Sequence, residues 1–339
     1  MIQLNHPWAF KIRFSICSNG TLYFNPKVQE YIKKYNDYLS LAITLDGDKN
    51  LHDMCRLFPN GEGSYDKALA AILHAQEHYN QATSTKLTLA PANIQYLFGA
   101  VKNFIDLGFT DIHLNCAFEK GWTIEHAKIF YQELTKLADY LLEQNLYEIV
   151  KISLFDEKIG SPMDPHDDIN WCGGNGRMLA CDWKGDLFPC IRYMESSLGT
   201  NRPALKIGDI YKGIGYNKEY STIIADLRAI TRSSQSTEEC FYCPIAAGCA
   251  WCSGYNYQET GSANKRATNI CEMHKARILA NVYYWNMAYL FYNEPKVYHN
   301  WVPAEWAIPI IGEEEWNKLQ VIEDMAADDK RLNIENEEI

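Results

Sequence analysis

At 339 residues the chain is long enough for one large domain or for two. Its composition, 47% apolar and 22% charged, is that of a folded globular protein, and no run of about 18 apolar residues offers a membrane span. The net charge of −11, with no basic stripe to meet phosphates, argues against a nucleic-acid binder.

The opening stretch MIQLNHPWAFKIRF has no charged n-region, apolar h-region or small-residue cleavage site, so the chain reads as cytoplasmic. Phe10–Cys17 is a strand candidate that stops at Asn19-Gly20, and a helix is expected from about Pro26 to Tyr35. SLAITLDG, Ser40–Gly47, is a β-branched strand ending at Asp-Gly. A helix from Ser64 to about Tyr79 carries Tyr65, Leu69, Ile72, Leu73 and Gln76 on adjoining turns. Thr85–Ala90 is the next strand, and Pro91-Ala92-Asn93 opens a helix with Ile94, Leu97, Phe98, Val101 and Ile105 on one face. Gly108 stands where a left-handed C-terminal cap is favoured. Asp111–Asn115 is a fourth strand, and Thr123 caps an amphipathic helix to about Glu143. Strands alternating with helices of this length imply βαβ units and a parallel sheet, with too few strands to close a barrel. Character changes near Pro162–Asp168; MLACDW and DLFPC follow as a hairpin about Lys184-Gly185, then a helix from about Glu272 to Tyr292. Residues 313–339 hold ten acids against three bases and read as a solvated acidic end.

Eight of the eleven cysteines lie between Cys172 and Cys271. In a reducing compartment such clustering points to metal ligands and not to disulfides. The stretch CFYCPIAAGCAWC is Cys240-x2-Cys243-x5-Cys249-x2-Cys252, with Pro244 after its second thiol. Zinc ribbons space their paired thiols about 15–20 residues apart, so each knuckle reaches the ion from its own side. Short unequal gaps and a Cys-Pro suit an iron–sulfur cluster, whose separate irons let a compact loop supply three ligands. Iron–sulfur, zinc and ordinary reduced thiols stay open on spacing alone, in that order.

The order Cys172-x12-Gly185-x4-Cys190, then the four-cysteine stretch, then Cys271, resembles the SPASM domain of radical S-adenosylmethionine (radical SAM) enzymes. The first half is similar to the same family. SICSNGTLYF resembles its third-strand segment, and SLAITLDGDKNLHDMCRLFPNGEGSYD its fourth strand and loop. LNCAFEKGWT, at the sixth strand, resembles the ribosomal-peptide maturase branch, and the likeness runs from about Phe10 to Arg277. It implies an α/β fold: the C-terminal four βα units of a partial (β/α)6 barrel over 1–160, a small Cys-rich SPASM domain over 161–277, and a C-terminal helix with the acidic tail over 278–339. It further implies two auxiliary 4Fe-4S clusters, one on Cys240, Cys243, Cys249 and Cys271, the other on Cys172, Cys190 and Cys252. Cys181 either completes the second or is a free or core thiol. The family pattern has three residues where this chain has only Ala250 and Trp251 before Cys252.

The triplet CxxxCxxC, by which this family holds the radical-generating cluster, does not occur in the sequence; Cys17, Cys55 and Cys116 stand far apart and read as small buried residues. A glycine-rich second-strand segment is missing as well. The expectation is an N-terminally truncated version of a longer enzyme, or one whose missing strands come from another chain. By the resemblance, Thr44 and Arg56 would approach the carboxylate of S-adenosylmethionine, a role suited to an arginine fork, and Asn19 would face the same site. Their plainer readings are a strand threonine, a surface ion pair and a turn residue. His52-Asp53 is weak as a general-base pair, and His274 reads as a helix-face histidine. Sulfatase-maturating relatives carry a catalytic aspartate directly after the cysteine of the Gly-x4-Cys element; here that place is Ile191. The expected function is therefore peptide maturation, with a thioether or related crosslink formed after hydrogen abstraction, a precursor peptide as substrate, and a flavodoxin or ferredoxin as electron donor. A non-catalytic electron-transfer or binding module and a zinc-stapled structural protein are the alternatives.

Overall fold

A computed structural model describes residues 11–82 and 84–328. Parallel strands and helices alternate through the first half. Strand β1, Phe14–Ser18, pairs with β2, Leu39–Ile43; β3, Ser84–Leu89, pairs with β4, Asp111–Cys116, and β4 with the short β5, Lys151–Ile152. Phe10, placed at the start of the first strand by its sequence, lies outside the described residues. Helices α1, Pro26–Tyr35, α2, Lys49–Cys55, α3, Tyr65–Tyr79, α4, Leu97–Asp106, and α5, Ile124–Glu143, connect the strands. The two sheets meet where Ala82 N–H donates to Leu41 O at 2.9 Å. There the Gln81 side chain accepts from Leu41 N at 2.9 Å and donates to Leu39 O at 3.1 Å, satisfying backbone that no strand covers.

Local chemistry explains the helix limits. Asn25 Oδ1 accepts from Lys27 N with Pro26 at the first turn, and Asp48 accepts from Leu51 N. Thr123 and His126 form a reciprocal capping box at the start of α5. Asn80 closes α3 at φ +50°, and Gly108 follows α4 at φ +83°. Of the face expected on α4, Leu97 and Val101 are fully enclosed, as is Ile94 in the turn just before it, each contributing about 1.5–3 kcal/mol, while Phe98 and Ile105 are half-buried. Helix α2 and strand β5 were not expected, being too short for a periodic pattern.

A four-stranded antiparallel sheet follows: β6, Ala180–Cys181, β7, Asp186–Phe188, β8, Gly208–Asp209, and β9, Gly213–Ile214. The expected hairpin is β6–β7. Asp182 Oδ1 accepts from Lys184 N and Asp186 N, both at 2.9 Å, and Gly185 takes φ +86°. Helix α6, Glu195–Leu198, lies within this region; α7, Lys218–Arg228, α8, Arg232–Gln235, α9, Glu238–Phe241, and α10, Ser253–Thr260, come after it. A small separate core gathers Cys190, Tyr193, Leu198, Leu227, Ile230 and Tyr257.

Helices α11, Cys271–Phe291, and α12, Ala304–Ala326, pack on α5 and belong to the main hydrophobic core. Their polar anchors are specific. Buried Asn281 donates to Leu154 O at 2.9 Å and accepts from Asp156 N at 2.9 Å and Trp285 Nε1 at 3.0 Å. Arg277 donates to Leu154 O at 2.9 Å and Ser153 O at 2.7 Å, so α11 is tied to the end of β5. One correction concerns the acidic end: Leu319, Ile322 and Ala326 are buried, so its first part is a packed helix, broken at Gly312 with φ +80°.

Candidate functional site

Cys240, Cys243, Cys249 and Cys271 line one cavity of about 260 Å³, with Ile245, Trp306 and Arg266 among its other walls. Thr237 caps α9 by accepting from Cys240 N at 3.2 Å, and Cys271 opens α11. Between them the chain turns tightly, Ala246 N donating to Cys243 O and Cys249 N to Ala246 O, both at 3.1 Å. Burial pushes the Cys271 thiol up to about 12, with Cys249 and Cys240 adding to the rise, and raises Cys243 and Cys249. Such thiols become thiolates only beside a cation, which is the donor chemistry of a metal centre. His274 is no ligand in this arrangement: its Nε2 donates to Ile245 O at 2.7 Å, and burial lowers it to about 4.

Cys172, Cys190 and Cys252 form the second group. Burial raises Cys190, and the other two thiols add to the shift. A Cβ built on Gly174 would lie 3.3 Å from Cys190 Sγ and 3.5 Å from Cys172 Sγ, so both sulfurs face one point that a glycine keeps open. Ser253 Oγ is 3.0 Å from Cys172 Sγ. Nine buried side-chain polar atoms lack a partner among the described residues, and five of them, on Asn170, Asn175, Arg192 and Tyr193, fall within three positions of Cys172 or Cys190. Unsatisfied buried groups concentrated around thiols fit a polar group bound there. Cys181 is exposed on β6, where its Sγ donates to Asp182 O at 3.4 Å.

No three His, Cys, Asp or Glu side chains among the described residues converge on a single-ion site. Zinc holds its sulfurs at about 2.3 Å. Thiols ringed about a cavity suit a group several atoms across, and an all-cysteine donor set is that of an iron–sulfur cluster.

At the strand ends, Asn19 Oδ1 accepts from Thr21 N at 3.2 Å and Thr21 Oγ1 at 2.9 Å, an Asx turn. Thr44, just beyond β2, donates its N–H to Ser18 O at 2.9 Å, and its Oγ1 is 3.7 Å from Cys17 Sγ. The C-terminal ends of β1 and β2 thus bring Asn19 and Thr44 to one edge. Arg56 bonds Asp46, two residues past Thr44. His52 is structural: Nδ1 accepts from Asp46 N at 3.1 Å, Nε2 donates to Ser64 Oγ at 3.1 Å, and Ser64 Oγ donates to Arg56 O at 2.8 Å. Burial lowers its pKa, keeping it neutral. Asp53 accepts from Tyr65 N at 3.0 Å and starts α3. Cys17 and Cys55 are exposed, against expectation, because Cys17 falls on the exposed face of β1 and Cys55 ends a short helix.

A larger cavity, of about 560 Å³, is lined by thiols of both groups. Phe118, just past β4, Trp171, Trp251, Arg232 and Arg266 line it together with Cys172, Cys240 and Cys249. Sequence reading missed these lining residues, which lie far apart in the chain and carry no spacing signal.

No family model and no curated protein matches the sequence. Solved structures do. The chain is similar to native anSMEcpe with bound AdoMet and Cp18Cys peptide, at 17% identity and TM-score 0.58, over 86% of this chain and 80% of that one. It is similar also to His6-tagged anSMEcpe with bound AdoMet, at 15% identity and TM-score 0.57, over 89% of this chain and 75% of that one. anSME is an anaerobic sulfatase-maturating radical SAM enzyme with a SPASM domain. The likeness is one of fold, a mixed α/β chain with helices and parallel sheets. Within that fold both thiol groups lie in the cysteine-rich part after residue 160, and Asn19 and Thr44 lie at strand ends in the first half.

Proposed function

We propose that this chain belongs to a radical SAM/SPASM peptide maturase and supplies its auxiliary-cluster and peptide-handling parts. The single observation that carries the reading is the gathering of seven thiols into two groups beside a cavity that Phe118, Trp171 and Trp251 help to line. Cys240, Cys243, Cys249 and Cys271 would hold one 4Fe-4S cluster; Cys172, Cys190 and Cys252 would hold the other, with Cys181 the candidate fourth ligand. When bound, such clusters supply one-electron transfer and a coordination site for a substrate thiolate.

The remaining chemistry falls to the chain's own side chains. Arg56, held by Asp46, would offer its remaining guanidinium donors to the carboxylate of S-adenosylmethionine, with Thr44 just past β2 and Asn19 just past the neighbouring strand as further candidates. Phe118, Trp171 and Trp251 give a peptide apolar surfaces, while Arg232 and Arg266 offer it charge. Ile191 is 66% exposed and has no titratable group, so it takes no proton, which favours a thioether or related crosslink over sulfatase maturation. We place the radical-generating cluster on polypeptide outside this sequence, since Cys17, Cys55 and Cys116 do not form its triplet. A precursor peptide, by analogy with the peptide-bound relatives, and a flavodoxin or ferredoxin would be the partners, in the cytoplasm. No helix among the described residues is long and apolar enough to cross a membrane.

The same lack of a triplet favours, as a second reading, an electron-transfer module without radical chemistry. The test is iron and acid-labile sulfide in anaerobically purified chain, then crosslinking of a cysteine-bearing peptide to it. A brown, sulfide-containing protein that captures the peptide beside Trp171 or Trp251 supports the maturase. Clusters without peptide capture favour the module, and zinc without sulfide ends both.

A further inference from the structure

Arg266 stands between the two thiol groups. Its Nη2 donates to Cys249 Sγ at 3.0 Å, and its guanidinium lies over the Trp251 ring, 4.9 Å from the centroid. Trp251 directly precedes Cys252 of the other group. Arg266 lines both the smaller and the larger cavity, and its backbone N–H donates to Gln235 O at 2.9 Å, which fixes the chain there. Two other cations act on the same thiols. Lys275 is engaged with Glu272 at 2.8 Å, and Arg277 with the carbonyls of Ser153 and Leu154. Among the described residues, Arg266 alone of these three bonds a sulfur.

We propose that Arg266 raises the reduction potential of the cluster held by Cys240, Cys243, Cys249 and Cys271; the inference rests on the reading that these four thiols hold a 4Fe-4S cluster. A charged donor on a ligating sulfur stabilises the state with more negative charge, and hydrogen bonds to sulfur are one of the levers on cluster potential. Reduction here adds one electron from an external donor and moves no proton, so the electrostatic gain goes wholly into the midpoint. The guanidinium also faces the larger cavity, which places this cluster's potential under the same residue that would meet a bound peptide.

The experiment is an anaerobic redox titration of the full chain, loaded with iron and sulfide and reduced with dithionite, followed by electron paramagnetic resonance. In R266Q the reduced-to-oxidised ratio of one cluster at fixed potential should fall about tenfold, a midpoint about 59 mV more negative for a one-electron couple. R266K should fall between, the other cluster should not move, and the moving signal should be the one lost in Cys271→Ala. Unmoved midpoints in R266Q, or both clusters moving together, overturn the proposal. So does loss of iron in R266Q with an unshifted midpoint in R266K, which would make Arg266 a loop brace only. A wild-type chain that takes up no sulfide sinks the proposed function along with this inference; full uptake with unmoved midpoints sinks the inference alone.

Discussion

Replacing Gly174 should close one thiol group while leaving the other intact. A Cβ there would stand 3.3 Å from Cys190 Sγ and from Ser253 Oγ, and 3.5 Å from Cys172 Sγ. Alanine is already tight at these distances. Valine's two methyl groups extend about 1.5 Å further, so both sulfurs must retreat. Gly174 is not among the positive-φ glycines, so the effect is steric and not a backbone penalty. Overpacking of this kind costs about 1–3 kcal/mol, small enough for the fold to survive in a chain of this size. If Cys172, Cys190 and Cys252 share a cluster, Gly174→Val should lower iron and acid-labile sulfide from about eight to about four per chain. Gly174→Ala should fall between. Both are measured on anaerobically loaded protein, with a circular dichroism melt to show that the fold persists. A folded Gly174→Val chain with its full iron and sulfide would show that these thiols do not share a cluster.

Asn281→Ala should destabilise the chain by about 1–3 kcal/mol, because a fully buried amide loses its bonds and the half-buried Asp156 N–H and Trp285 Nε1–H lose their acceptor. Urea unfolding measures this, and a loss below about 1 kcal/mol would mean that water replaces the amide. His52 provides a pH test. Its folded pKa lies below the unfolded value of about 6.5, so its neutral form contributes stability above that value, lost as pH falls through it toward the folded pKa. Between pH 7.5 and 5.5 the melting temperature of wild type should drop more than that of His52→Gln, and parallel curves would remove His52 from the account.

The alternation of strands and helices was legible in the first half because β1 and β2 run into Asn19-Gly20 and Asp46-Gly47, and α1, α3, α4 and α5 each carry an end signal. Thr123, Asn80 and Gly108 all act where local chemistry put them. Thiol grouping was legible through spacing, since short gaps between cysteines put several sulfurs on one tight loop. Other features were not. Helix α12 hid behind Pro309 and Gly312, two breakers inside one element. Helix α2 was too short for a periodic signal. Cys17 looked like a core residue because the sequence does not say which face of β1 is turned to solvent. Arg266 lies five residues before Cys271 with no motif, and only the folded loop turns it onto Cys249.

The cysteine loop is fixed to the parallel sheets at one place, and this decides what the fold can do. Ala247 exchanges backbone hydrogen bonds with Gly160 and Ser161, both at 2.9 Å. Gly248 is packed so closely on Ile159 that a Cβ would lie 2.1 Å from its side chain. His274 holds Ile245, while Arg277 and Asn281 hold Ser153 and Leu154, at and just past the end of β5. Cys243, Cys249 and Cys271 are therefore all within a few residues of anchors on the segment that leaves β5. Electron transfer and substrate ligation both need fixed distances, and such distances are better set by buried hydrogen bonds than by a loop free to move. The second group has a different support: Cys190 and Tyr193 sit in the small core with Leu227 and Tyr257, and Arg192 reaches Phe118 O at 3.4 Å. Two separately braced thiol groups thus line one cavity, through Cys240 and Cys249 on one side and Cys172 on the other.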